Sequence, residues 1–467
     1  MKQESGYFKY KKFAIELTHF LFSIGTFFIF FLLFRFKSLY MIETNRFRYN
    51  LYAAAGYGVL LYFFYKTYNA YLFGYNRIRT LVFSQILSQT FSLILIYLAI
   101  SFSWKRFDDP LVFIPMLVIQ VCFDCIWSYL GNTYYYKSTG ILHTLLVYKS
   151  TLDKKRFGTI KGKPTERIYV ITNELQYDGD YEGIKDRLKG YDAIFVAGVN
   201  SECRNGILQY CKEEKIPGFF LPHVGDIIMQ SAIHVQSFDT PVLYVNKKEL
   251  EPEYAVIKRL FDIVVSGLAL ILLSPLMLIT GLAVKLYDGG PALYKQTRLT
   301  KNGKSFRMLK FRSMRVDAEK DGVARLSSGK DDDRITPVGT VIRRFRLDEI
   351  PQLWNIFIGD MSVVGPRPER PEIAELYARE MPEFNLRLQV KAGLTGYAQV
   401  YGKYNTTPYD KLGFDLLYIN NMNVFVDIQL CFATFAILFK PESTKGIGIG
   451  QTTAMDYDEA LEKSKDQ

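Results

Sequence analysis

The chain has 467 residues, of which 49% are hydrophobic and 15% aromatic, and a formal net charge of +11. That length admits two or three domains plus membrane spans. The apolar stretch up to about Leu130 argues against the basic soluble domain that a nucleic-acid partner would require, so the positive charge suits anionic lipid or phosphorylated substrates. Five scattered cysteines, Cys122, Cys125, Cys203, Cys211 and Cys431, are odd in number and form no disulfide framework, as expected of reduced, cytosol-facing domains.

A hydrocarbon core takes roughly 20 apolar helical residues. Four stretches qualify: Phe13 to Phe34, Leu51 to Tyr65, Leu81 to Trp104 and Leu111 to Leu130, the second being the shortest. They predict an N-terminal four-helix transmembrane bundle over residues 1–135. No small-residue cleavage site follows the first stretch, which therefore reads as a span and not as a signal peptide. The basic residues after the fourth, among them Lys149, Lys154, Lys155 and Arg156, put the N-terminus and the bulk of the chain on the cytosolic side. Glu16, His19 and Asp124 lie in or near the spans, as a polar pathway or as capping and interhelical contacts.

Residues 136–250 alternate short β-rich runs with helical ones. Leu145–Tyr148, Ile168–Ile171, Ala193–Val196 and Val242–Val245 predict a small α/β domain with a parallel sheet. A dinucleotide site would need a glycine-rich turn after the first strand. Here that strand runs into Lys149-Ser150-Thr151-Leu152-Asp153, so the domain reads as a structural or oligomerising module without a phosphate cradle.

Next come Lys258-Arg259 and the apolar run Ile263 to Val284, about 33 Å long if helical. Ser274-Pro275 lies in its middle, where proline removes a backbone donor and Ser274 can satisfy the freed carbonyl. A sharp bend is expected. If it turns the helix back as a re-entrant segment over 260–287, Lys258, Arg259, Lys285 and Asp288 all meet one membrane face.

Between Lys285 and Ile350 there are 16 Lys/Arg against 9 Asp/Glu, an excess suited to a polyanionic substrate. No histidine follows His234 and Cys431 is the only cysteine there, which removes imidazole bases, thiol nucleophiles and His/Cys zinc sites. Within this segment, Leu347-Asp348-Glu349 is read as the first turn of a helix starting near Arg346, with Pro351 tolerated and the helix dipole keeping both carboxylates ionised. An ionised Asp348 beside a diphosphate is a candidate nucleophile. Arg367, in Gly365-Pro366-Arg367-Pro368, is the best candidate to grip phosphate because prolines fix its backbone and a guanidinium bonds bidentately. Arg312, Lys310, Arg334, Lys258 and Arg259 are further candidate phosphate contacts, each equally readable as a structural ion pair. Asp333 stands in an acidic run that reads as a solvated loop.

Taken in order, Lys258-Arg259, Ser274-Pro275, Gly289-Gly290-Pro291, Gln296-Thr297-Arg298, Asn302-Gly303-Lys304, Lys310-Phe311-Arg312, Asp333-Arg334-Ile335-Thr336, Leu347-Asp348-Glu349, Gly359–Glu369 and Lys391–Val400 resemble the bacterial sugar transferases, monotopic polyprenyl-phosphate phosphoglycosyl transferases. The likeness covers about Tyr254 to Lys440. The spans and the α/β domain ahead of it are similar to the long, exopolysaccharide-initiating branch. This resemblance implies a membrane protein with a four-helix bundle, a Rossmann-like parallel α/β domain (136–250), a mainly helical catalytic domain (251–440) anchored by the re-entrant helix, and an extended tail (441–467). It implies that Asp348 attacks the sugar-linked phosphate of a UDP-sugar, expels UMP and passes the phosphosugar to undecaprenyl phosphate, with Glu349 binding Mg²⁺. Exopolysaccharide or capsule synthesis at the bacterial inner membrane, with a cytosolic site, follows from the same likeness, which leaves a homo-oligomer open. The competing expectations are a glycosyltransferase that releases UDP and a non-catalytic membrane scaffold. Thr300, Phe345-Arg346, Ala392, Tyr397 and Asn421–Asn423 depart from the family's commonest residues. Tyr401, Tyr404 and Tyr409 are candidates for a sugar or base pocket, or for packing.

Overall fold

The computed structural model describes residues 5–37, 46–105, 107, 109–151, 153–154, 164–235, 240, 242–246, 250–318, 334–402 and 406–438. Asp333, Tyr404, Lys155, Arg156 and the tail 441–467 lie outside them. The chain divides into two compact units, Met1–His223 and Val224–Gln467.

The first unit begins with four helices, α1 (Ser5–Lys37), α2 (Arg46–Tyr68), α3 (Ile78–Trp104) and α4 (Phe113–Thr139). Phe27, Tyr57, Leu61 and Met116 are fully buried between them. Among the described residues, the helices long and apolar enough to cross a membrane are α1, α3, α4 with the turn before it, and the later helix Pro252–Asp288. α2 is not among them, because six tyrosines, Arg46, Arg48 and Lys66 dilute its apolar surface. Across the bundle interior runs a buried polar layer. His19 Nε2 and Asp124 Oδ1 are 2.8 Å apart, Tyr65 Oη and His19 Nδ1 also 2.8 Å, and Gln89 Nε2 donates to Asp124 Oδ1 at 3.1 Å. Away from water these groups must satisfy one another, which pins the register of the four helices.

The chain then forms β1 (Leu142–Tyr148), β2 (Tyr169–Gln176), β3 (Ala193–Ala197), α5 (Ser201–Glu213) and β4 (Gly218–Phe220). The strands make a parallel sheet ordered β2-β1-β3-β4. All five residues of β3 are buried, as a strand covered on both faces requires. Sequence reasoning placed the fourth strand at Val242–Val245. It is Gly218–Phe220, too short to stand out after Ile216-Pro217, whereas Val242–Tyr244 pairs antiparallel with Ile233–Val235 in a separate hairpin. After β1, Asp153 Oδ2 accepts from Ser150 N at 3.2 Å. Gly198, at φ +70°, lies so close that a Cβ there would collide with the Asp153 carboxylate.

The second unit contains α6 (Val224–Met229), β5 (Ile233–Val235), β6 (Val242–Tyr244), α7 (Pro252–Asp288), β7 (Leu293–Leu299), β8 (Ser305–Phe311), α8 (Pro337–Arg344), α9 (Gln352–Ile358), β9 (Ser362–Val364), α10 (Pro371–Glu380), β10 (Gly393–Thr395), α11 (Tyr397–Tyr401), α12 (Pro408–Asn421) and α13 (Val424–Leu438). Its core gathers Met308, Ile356, Met361, Val364, Phe384, Leu412, Leu416 and Tyr418, all nearly inaccessible. α6 joins this core through Val224 and Ile227.

α7 runs unbroken through Pro275 for 37 residues, so the bend expected at Ser274-Pro275 does not interrupt the helix. Its Pro275 has no N–H for the carbonyl four residues back, which is that of Ile271. Ser274 Oγ donates to that oxygen at 2.8 Å. The hydroxyl thus replaces the lost bond. One face of α7 packs on the core through Asp262, Ser266, Thr280 and Val284. The other exposes Val256, Ile271, Leu272, Leu278, Ile279 and Leu286, from 64% to 82% accessible, an apolar stripe of the kind that contacts lipid or protein.

Candidate active site

Two loops and one strand build the site. α8 ends at Arg344 with Phe345 as its cap, and Arg346 then takes a left-handed conformation, φ +54°. This residue reverses the chain into a 3₁₀ turn, Leu347–Glu349, after which Pro351 caps α9. The helix expected to start near Arg346 therefore starts at Gln352, because the left-handed residue and the proline confine Leu347–Glu349 to a single tight turn. Opposite, β8 carries Lys310, and β9 leads into Gly365-Pro366-Arg367-Pro368.

Glu349 stands among three cations. Arg367 Nη2 donates to Oε1 at 2.8 Å, Lys310 Nζ lies 3.7 Å from Oε1, and Arg346 Nη1 lies 3.9 Å from Oε2. Burial alone would raise the Glu349 pKa, but Arg367, Lys310 and Arg346 outweigh it and hold the carboxyl well below its usual range. Asp348 behaves oppositely. Burial first, and the Glu349 charge second, push it up to about 6 against the opposing Lys310, Arg343 and Arg367. The two neighbours thus separate into a fixed anion and a carboxyl that titrates close to neutrality. Asp348 is thus less readily ionised than a helix start would make it, since it sits in a half-buried turn beside a like charge, but a value of about 6 leaves it mostly charged at neutral pH. Among the described residues no hydrogen bond or ion pair engages the Asp348 side chain, so its oxygens are uncommitted.

Arg367 is held by Glu349 through one nitrogen only, and with its side chain 40% exposed it keeps Nε and Nη1 for another anion. Lys310 is half-buried, and the loss of water around its ammonium lowers its pKa. Asp348, Glu349, Arg367 and Lys310 are therefore brought together. The remaining candidates have other attachments. Lys258 donates to Asp427 Oδ2 at 2.7 Å and to Tyr418 Oη at 3.1 Å, buried. Arg259 caps α9 through the carbonyls of Ile356 and Phe357, each at 2.8 Å. Arg312 pairs with Asp288, and the Arg334 carbonyl accepts from Arg315 N at 2.9 Å. Tyr409 Oη accepts from Val224 N at 3.1 Å, and Tyr397 lies edge-on against Tyr401 and Tyr418.

Two residues that the resemblance singled out meet in the structure. Ala392 N donates to Thr300 Oγ1 at 3.1 Å. A proline at 392 has no such donor and a glycine at 300 no such acceptor.

Sequence reasoning missed a second charged group behind the Arg367 loop. Glu369 binds Lys411 at 2.8 Å and Arg387 at 3.5 Å, and Arg387 Nη2 lies 2.7 Å from Asp415 Oδ2. A signal existed in Asn385-Leu386-Arg387-Leu388, where one arginine stands between leucines, and in Lys411/Asp415, four apart on one face of α12.

All candidate donors for a cation here are carboxylate oxygens. No group of three or more His, Cys, Asp or Glu converges among the described residues. Mg²⁺ needs no such cage, since it binds through one or two carboxylates, waters and substrate phosphates. Glu349, ionised and without a hydrogen bond to Oε2 among the described residues, fits that requirement.

A family model described as bacterial sugar transferase matches residues 253–441. The chain is 40% identical over 202 residues to exopolysaccharide production protein PSS of Rhizobium leguminosarum bv. phaseoli, covering 98% of that protein and 41% of this chain. It is 41% identical over 186 residues to the UDP-N-acetylgalactosamine-undecaprenyl-phosphate N-acetylgalactosaminephosphotransferase of Aeromonas hydrophila, 44% of that protein and 39% of this chain. With the UDP-glucose:undecaprenyl-phosphate glucose-1-phosphate transferase of Klebsiella pneumoniae it shares 40% identity over 205 residues, 42% of that protein and 43% of this chain. The match thus spans less than half the length of these last two relatives, and the residues matched by the family model fall in the second unit.

Proposed function

Because the chain belongs to the bacterial sugar transferase family, we propose that it transfers a sugar 1-phosphate from a UDP-sugar to undecaprenyl phosphate at the cytosolic face of a bacterial inner membrane, as the first membrane step of exopolysaccharide or capsule synthesis. The observation that carries this reading is the uncommitted Asp348 carboxylate beside a Glu349 pinned by Arg367 and Lys310. An Asp348 oxygen attacks the sugar-bearing phosphorus. The bond from that phosphorus to the bridging oxygen breaks, UMP leaves with the electron pair, and the phosphosugar remains as an acyl phosphate. A phosphate oxygen of undecaprenyl phosphate then attacks the same phosphorus and frees the Asp348 carboxylate. Arg367 and Lys310 stabilise the charge on the donor diphosphate. Glu349 would hold Mg²⁺, which when bound neutralises phosphate oxygens.

Within the same reading α7 enters the bilayer from the cytosolic side and returns to it. Both of its ends serve one unit: Asp262 Oδ1 accepts from Val363 N at 2.9 Å, and Asp288 pairs with Arg312 on the segment after β8.

The nucleotide product tests the reaction. Attack at the sugar-linked phosphorus releases UMP, whereas transfer of the sugar alone releases UDP. Purified protein with undecaprenyl phosphate and a panel of UDP-sugars is expected to release UMP. UDP as the product would establish the glycosyltransferase reading instead, and no turnover with any donor would favour the scaffold.

A further inference from the structure

We propose that Arg387, braced by Asp415, is a positioning residue for Arg367, an inference that rests on the reaction proposed above. The loop Gly365–Glu369 is held along its whole main chain. Gly365 N donates to Thr395 O and Gly393 N to Pro366 O, each at 2.8 Å, and Leu299 N donates to Glu369 O at 3.0 Å. Pro366 and Pro368 have no N–H, so the carbonyls are the available handles on this stretch. Two of them are gripped by guanidinium groups. Arg298 Nη1 donates to Pro368 O at 3.1 Å, and Arg387 Nη2 donates to Arg367 O at 2.8 Å.

Arg387 is the more deeply placed, with 3% of its surface accessible. A buried guanidinium is stable only with a counter-charge. Asp415, 1% accessible, supplies it at 2.7 Å. Glu369 supplies a second anion at 3.5 Å and is itself tied to Lys411 at 2.8 Å. Lys411 and Asp415 project from one face of α12, one helical turn apart. The result is a rigid charged brace behind the loop, while the Arg367 guanidinium on its front holds Glu349 and offers its free nitrogens to phosphate. Among the described residues Arg387 makes no hydrogen bond or ion pair with the carboxylate pair, and it binds Arg367 at the main-chain carbonyl. It acts by fixing where the Arg367 backbone sits.

A group that orients a transition-state contact lowers kcat when lost, with little effect on donor binding. The full-length protein in lipid nanodiscs, assayed with the UDP-sugar it turns over, is compared with Arg387→Lys, Arg367→Lys and the double variant. Lysine keeps the buried charge but cannot reach Arg367 O and Asp415 together. Arg387→Lys is expected to lower kcat about tenfold or more with KM changed less than about threefold. Added to Arg367→Lys, it should cost little further, since both act through one guanidinium. If Arg387→Lys fails to fold, the Arg387→Gln/Asp415→Asn pair removes both buried charges together, and it should keep the thermal transition while still losing kcat. Wild-type kcat in a folded Arg387 variant, or full additivity with Arg367→Lys, overturns the proposal. Loss of kcat only in proportion to loss of folded protein, in the charge-free pair as well, also overturns it. Absence of UMP release by the wild type overturns the underlying reading instead, and is distinguished because it appears before any substitution is made.

Discussion

At the scale of single residues, the division of labour between Asp348 and Glu349 comes from their different surroundings. Glu349 meets three cations and stays charged; Asp348 meets none within ion-pair distance and carries a raised pKa of about 6. As the proposed nucleophile, Asp348 must be ionised, so kcat/KM should fall about tenfold per pH unit once the pH drops below about 6. Glu349 contributes to that raised value, and Glu349→Gln should therefore move the acid limb to lower pH while reducing activity. A pH profile of both proteins checks the sign, and a limb displaced upward would contradict it. Asp348→Asn, whose amide cannot attack phosphorus, should abolish turnover together with the donor-dependent mass increase of one hexose phosphate. Robust turnover by that variant would place the nucleophile elsewhere.

At the scale of elements, α7 depends on one side-chain substitution for one backbone bond. A proline inside a helix costs about 3 kcal/mol or more, and the Ser274 hydroxyl recovers part of this by satisfying the Ile271 carbonyl. If the helix enters the bilayer and returns, single cysteines at Glu253 and Lys304, in a protein freed of its native cysteines, should both resist a membrane-impermeant maleimide in sealed cells. Ser274→Ala/Pro275→Ala restores the regular bonding and should favour a straight crossing, exposing the Lys304 reporter in part of the population. Labelling at Lys304 alone in the unsubstituted sequence would refute the re-entrant path. The α/β sheet is the other informative element. Its order reverses between β1 and β3, where ligands of parallel sheets commonly bind. Asp153 lies against Gly198 there, and its negative charge opposes a phosphate. Full-length protein titrated with NAD or coenzyme A should show no saturable binding; micromolar affinity would overturn this reading.

At the scale of the whole molecule, two units carry different physics. The first buries a polar layer around His19 and Asp124 between its helices and a fully covered strand, β3, in its sheet. The second concentrates charge on a small core and leaves an apolar stripe along α7. The sequence foreshadowed part of this contrast: apolar stretches marked the four N-terminal helices, and Asp348, Glu349, Arg367 and Lys310 were each legible as candidates that the structure brings together. Local sequence determined these features because helix length, proline geometry and residue charge are properties of neighbouring positions. It could not determine that Lys258, Arg259 and Arg312 hold structural partners, that Val242–Tyr244 leaves the parallel sheet, or that Glu349 draws three cations while Asp348 is left to titrate. Those outcomes depend on which groups distant in the chain arrive at the same point and how much water they exclude there, and only the tertiary structure decides that.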